Sequence, residues 1–121
     1  MRFTQDSSST RLIRAYAPGQ LRVNDETYGE TVIVSATEVL RLPDVRDLHD
    51  LAAMDPSRIL TLDPEVVLLG TGPRQFFPPA SFKGQFLNAG VGLEVMDTAA
   101  ACRTFNVLVA EQRRVVALLM V

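Results

Sequence analysis

The chain has 121 residues, 47% of them apolar, with 12 Lys and Arg set against 14 Asp and Glu for a formal net charge of −2. That length is one domain, and that apolar content excludes a disordered chain. The slightly acidic balance excludes the basic stripe of a nucleic-acid binder, so no nucleic-acid partner is expected.

Residues 1–10 are rich in Ser and Thr and read as a flexible leader, with 11–121 forming a single domain. The leader has no apolar core of a secretion signal, and no apolar run anywhere reaches the roughly 20 residues that span a bilayer. A cytoplasmic setting without membrane insertion is expected. From Leu12 to Val23 apolar and polar residues alternate around Pro18-Gly19, which suits a type II turn and predicts a β-hairpin. Asn24-Asp25 makes a further turn. Thr31-Val32-Ile33-Val34-Ser35 is β-branched and predicts a strand, followed by a weaker one at Val39-Leu40-Arg41-Leu42 that Pro43 stops. Asp44 opens a helical spacing of Val45, Leu48, Leu51 and Ala52, which ends at Met54-Asp55-Pro56.

Glu65-Val66-Val67-Leu68-Leu69 is continuously apolar between Pro64 and Gly70, the pattern of a strand covered on both faces. Phe82, Phe86 and Leu87 recur at helical spacing over 80–89, and Gly90 stands where a helix-ending glycine belongs. Val91-Gly92-Leu93-Glu94-Val95 returns as a strand. Asp97 is a good N-cap for a helix over 98–111, whose Ala101, Cys102, Phe105, Leu108 and Val109 share one face. The last run, Val115 to Val121, predicts a buried strand that is antiparallel or beside an edge. The whole reads as an α/β fold: three layers, with a central mixed β-sheet, flanking helices and a small N-terminal β-hairpin layer.

A right-handed βαβ unit over 66–95 brings both strand ends to one rim, where open α/β sheets bind ligands. Gly70, Thr71 and Gly72 as a turn, with Thr98 at the helix start and Arg74 and Arg103 adding charge, define a candidate anion site. Against it, there is no GxGxxG and no Walker lysine, and glycines also serve simply to turn a chain sharply. The expectation is that these glycines are structural. Charges of both signs alternate along the chain and read as a solvated surface, with Lys83 the only lysine. Cys102 sits near a helix start, where a dipole favours thiolate, but its apolar face predicts an inert buried thiol. His49 reads as a solvated imidazole, and no catalytic residues, metal site or cofactor are predicted. Phe76-Phe77 is either a protein-contact cluster or a pair tucked under the sheet edge, the second being the expectation. The 12–23 hairpin and the strand at Val121 are candidate open edges for a homo-oligomer.

Gly70-Thr71-Gly72, Pro78, the run from Gly92 to Thr98, the run from Ala100 to Leu108 and Glu111-Gln112-Arg113-Arg114-Val115 resemble the Mth-like domain family of unknown function. The resemblance covers about residues 11–121. It implies a three-layer α/β fold with a mixed sheet, and it implies little about activity, because the mitochondrial members act in complex I assembly without known catalysis. The family's most recognisable positions fall at Thr98, Arg103, Thr104 and Asn106. Two departures stand out: Leu42 replaces a frequent tryptophan, and Gln112 a frequent glycine. The resulting expectation is a non-enzymatic assembly or interaction protein with a protein partner, linked to a respiratory membrane complex. The alternative is a small-anion or small-ligand binder, or a cofactor-independent enzyme, at the glycine rim.

Overall fold

Alternation of side chains builds the first sheet in the computed structural model, which describes residues 10–121. The expected leader, apart from Thr10, lies outside the described residues. Strands β1 (Ile13–Ala17), β2 (Gln20–Val23) and β3 (Glu26–Tyr28) form an antiparallel meander in that order. Ile13, Leu21, Val23 and Tyr28 turn inward and are buried, Tyr16 and Asn24 are half-buried, and the other residues between them face solvent. Gly19 takes φ +91° at the first turn, as a type II turn requires. The hairpin is therefore joined by a third strand, which its short, polar sequence Glu26-Thr27-Tyr28 did not announce.

The second sheet has five strands in the order β5-β4-β8-β6-β7. They are β4 (Val32–Val34), β5 (Val39–Arg41), β6 (Val66–Thr71), β7 (Gly92–Met96) and β8 (Val115–Met120). β6 runs parallel to β7 and to β8, and β4 runs antiparallel to β8 and β5. The final strand is thus antiparallel on one side only, and it occupies the middle of the sheet, paired on both sides, so it is not the open edge expected there. Its six residues are all buried, the burial expected of a strand covered on both faces. Its alternate residues enter different cores. Val115, Ala117 and Leu119 meet one layer, and Val116, Leu118 and Met120 meet the other.

The first layer is α3 (Thr98–Ala110), which lies against β6, β8 and β1 and so separates the central sheet from the small one. The second layer holds a 3₁₀ helix (Leu48–Ala53), α1 (Ser57–Leu60) and α2 (Ala80–Asn88). The expected helix after Asp44 begins instead beyond Asp47. There Asp47 and Asp50 each accept the other's backbone N–H in a capping box, at 3.2 Å both ways. α2 buries Phe82 and Phe86, whose rings meet edge to face at 5.0 Å, but leaves Leu87 73% exposed, against the expected apolar face. Arg41 on the β5 edge stacks 4.5 Å over the Tyr28 ring and faces Glu26 and Glu30, linking the two sheets at that side.

Candidate functional site

The rim where β6 and β8 end is built around one threonine. Thr98 is fully buried at the start of α3. Its Oγ1 accepts from Gly72 N at 2.8 Å and donates to Met120 O at 2.6 Å, while its own N–H donates to Gly72 O at 2.9 Å. One side chain thereby joins the end of β6, the end of β8 and the beginning of α3. Such closeness requires glycine at position 70. A Cβ there would lie 2.9 Å from Thr98 Oγ1 and 3.0 Å from Thr98 Cα and from Leu119 Cδ2. Gly70 and Thr71 are still part of β6, and the turn begins only at Gly72, with φ +93°.

Thr71 organises the loop that leaves β6. Its Oγ1 lies 2.6 Å from Arg74 O and 3.3 Å from Met96 O, and it accepts from Phe76 N at 3.1 Å. Asp97 caps α3 by accepting from Ala100 N at 2.8 Å. The Gly72, Thr98 and Ala100 amides, which an incoming anion would use, therefore already bond to Thr98, Gly72 and Asp97. Arg74 and Arg103 are both exposed, and neither forms an ion pair among the described residues.

Two further motif residues also bind the chain itself. Asn106 accepts from Ile13 N at 2.9 Å and donates to Ile13 O at 2.8 Å, so its carboxamide pairs with β1 as a neighbouring strand would. Thr104 Oγ1 contacts Met96 Sδ at 3.6 Å. Cys102 is buried, and that burial pushes its thiol up to about 11, with nearby Arg103 only partly opposing the shift. Desolvation outweighs the Arg103 charge here, and the side chain lies on the buried face that the sequence predicted. His49 is exposed on the 3₁₀ helix. At the opposite rim, a hollow of about 420 Å³ is lined by Ser35, Thr37, Gln112, Arg113 and Arg114. Its arginines face Glu65 at 3.2 Å and Asp63 at 3.5 Å.

Phe76 and Phe77 are not tucked under the sheet edge. They are 48% and 79% exposed, on a loop whose Gln75 Nε2 donates to Val95 O on the edge strand β7 at 3.1 Å. Lys83, noted in the sequence only as the single lysine, is exposed on α2 and belongs to a local charge pattern that the sequence also carries. Between Glu65 and Glu94 the only charged residues are Arg74 and Lys83.

A mixed five-stranded sheet with helices on both faces, and a small meander outside α3, defines an α/β protein in which Thr98 and Asn106 hold the chain's own backbone. The chain belongs to the family described as protein of unknown function (DUF498/DUF598), whose profile matches residues 13–120. It is 35% identical over 103 residues to the 13 kDa major membrane protein of Francisella tularensis, with 84% of each protein covered. It is 31% identical over 111 residues to NADH dehydrogenase (ubiquinone) 1 alpha subcomplex assembly factor 3 of Danio rerio. That match takes in 90% of this chain and 63% of the assembly factor. Among solved structures it is similar to a Bordetella parapertussis protein at TM-score 0.84 and 35% identity, covering 93% of this chain and 96% of that one. It is also similar to a Mth938-like domain of Bordetella pertussis, at TM-score 0.74 and 28% identity, covering 94% and 87%. The expected Mth-like kinship is therefore shown. Among the described residues no helix is long and apolar enough to cross a membrane.

Proposed function

We propose that this protein is a non-enzymatic assembly or interaction factor acting at the cytoplasmic face of a respiratory membrane complex. One contrast carries the reading. The polar signature side chains Thr71, Thr98 and Asn106 bind backbone groups of this chain, while Phe76 and Phe77 face outward. A catalytic site needs polar groups directed at a substrate, whereas an assembly factor needs a rigid frame and an outward apolar surface. The kinship with a complex I assembly factor supports the same reading. The test is tagged chain, produced at native level and recovered from detergent-solubilised membranes of its own cell. Subunits of one respiratory complex should be enriched over a tag-only control, and recovery of none of them overturns the proposal.

A second reading is a small-anion site at the glycine rim, formed by Gly70, Thr71, Gly72 and Thr98, with Arg74 and Arg103 supplying the charge. What favours it is that both guanidiniums are exposed and without ion pairs among the described residues. A thermal-shift series with phosphate and sulfate separates the two readings. Stabilisation that Arg74→Ala or Arg103→Ala abolishes supports the anion site, and no stabilisation rejects it.

A further inference from the structure

We infer that the loop over residues 72–79, with the outward face of α2, is a peripheral anchor for an anionic lipid bilayer. The inference deepens the function proposed above and borrows from it only the location at a membrane. On the loop Phe77 is 79% exposed and Phe76 48%, and on α2 Leu87 is 73% exposed, large apolar side chains that water does not favour. Phenylalanine rings at such a surface gain by entering the boundary between headgroups and acyl chains.

Charge complementarity selects the occupant. Although the chain carries net −2, the stretch over 66–93 holds two cations and no anion. Arg74 stands two positions before the aromatic pair. Lys83 and Leu87 stand one turn apart on α2, and both are exposed. Neither Arg74 nor Lys83 forms an ion pair among the described residues, so both charges are available to headgroup phosphates. Cations flanking exposed aromatics match an anionic leaflet, where each basic group near the surface adds attraction that salt screens.

The loop is already shaped for this contact. Phe76 N donates to Thr71 Oγ1 at 3.1 Å, the Gln75 side chain holds Val95 O at 3.1 Å, and Pro78-Pro79 limit the backbone beyond. Insertion therefore orders little that is not ordered beforehand, which keeps the entropic cost of binding small. With two rings and two cations the anchor is reversible, below the strength of a double lipid modification.

The test is co-sedimentation of the purified full chain with vesicles of phosphatidylcholine alone or with phosphatidylglycerol added. Binding is expected to the anionic vesicles and to be released by salt. Phe76→Ser with Phe77→Ser should weaken it by about tenfold or more, and Arg74→Glu with Lys83→Glu by a similar factor. All four side chains are exposed, so unfolding midpoints should stay with the parent and report that the variants fold. Absence of binding to anionic vesicles, or binding unaffected by both variants, overturns the anchor. If the parent binds no vesicles but the phenylalanine variant loses the respiratory subunits from detergent extracts, the loop is a protein contact. In that case the anchor is rejected and the assembly function stands. If the anchor holds while no respiratory subunit is recovered, the reverse is true.

Discussion

The two halves of the segment over residues 70–79 adjoin directly and behave in opposite ways. In the first, Gly70, Thr71 and Gly72 are buried and tied to Thr98, Met96 and Met120. In the second, from Pro73 to Phe77, every residue is exposed, and the loop is held from beneath by Thr71 and Gln75. The half with the recognisable motif serves the fold, and the half without one meets the surroundings. A motif that looks like a ligand site can thus be a packing solution, because close approach of backbones needs glycine and buried donors need partners whether or not a ligand is present.

The largest expected effect breaks the buried half. Thr98→Val keeps the shape of the side chain but removes its oxygen, leaving Gly72 N–H and Met120 C=O without that partner in a dry site. The loss should be about 2–5 kcal/mol by urea denaturation, because each unsatisfied buried group costs about 1–3 kcal/mol. Thr98→Ser, which keeps the oxygen, should recover most of it. Equal destabilisation by the two would show that the clasp depends on packing and not on hydrogen bonds.

The same helix supplies a pH test. Burial raises the Cys102 thiol from 9.0 to about 11, so the folded state holds this proton more tightly than the unfolded chain. The associated stability is complete below pH 9 and is lost as pH rises toward 11. Two units correspond to about 2–3 kcal/mol. Between about pH 8 and about pH 10.5 the parent should therefore lose more stability than Cys102→Ala, the difference isolating the thiol. Parallel curves for the two proteins would contradict a buried, protonated cysteine.

Gly70→Ala comes next. Its Cβ meets the Thr98 backbone at 3.0 Å, which cannot yield as a flexible side chain does. Overpacking of this kind costs about 1–3 kcal/mol, and a midpoint unchanged from the parent would show that α3 can shift without loss. A smaller effect of opposite sign is expected at the far end of α3. α2 and α3 both end with a residue in the left-handed region, Gly90 at φ +75° and Gln112 at φ +62°. In both, paired backbone bonds close the turn, from Val91 N to Phe86 O and from Arg113 N to Leu108 O. Gln112→Gly should raise stability by about 1 kcal/mol, since a non-glycine residue bears roughly that strain there. A loss of stability would mean that the glutamine side chain contributes more than the strain it bears.

What the sequence made legible was whatever periodicity or capping chemistry writes locally. The β6–α2–β7 unit, the Asp97 cap and the buried face of α3 were open to reading because each rests on residues within a few positions. The middle placement of β8 was not, because a fully apolar strand reads the same beside any neighbour. The rim residues were found, but their hydrogen-bond partners lie far away in sequence. Thr98 reaches Gly72 and Met120, and Asn106 reaches Ile13. Pairing across such separations leaves no periodic trace. Leu42 is buried in one cluster with Val45, Leu51 and Ile59, so a leucine suffices to complete that core.

The smallest expected effect on stability sharpens the exposed half. Phe76→Ser with Phe77→Ser removes two rings from a loop whose anchoring bonds come from the Phe76 backbone, the Thr71 hydroxyl and the Gln75 amide, none of which the substitutions touch. Exposed side chains outside such features change stability by within about 0.5 kcal/mol. The unfolding midpoint should accordingly match the parent, while whatever outer surface the rings engage is lost. A drop comparable with Gly70→Ala would mean that the rings brace the fold from outside, and the division between a buried half for architecture and an exposed half for contact would fail.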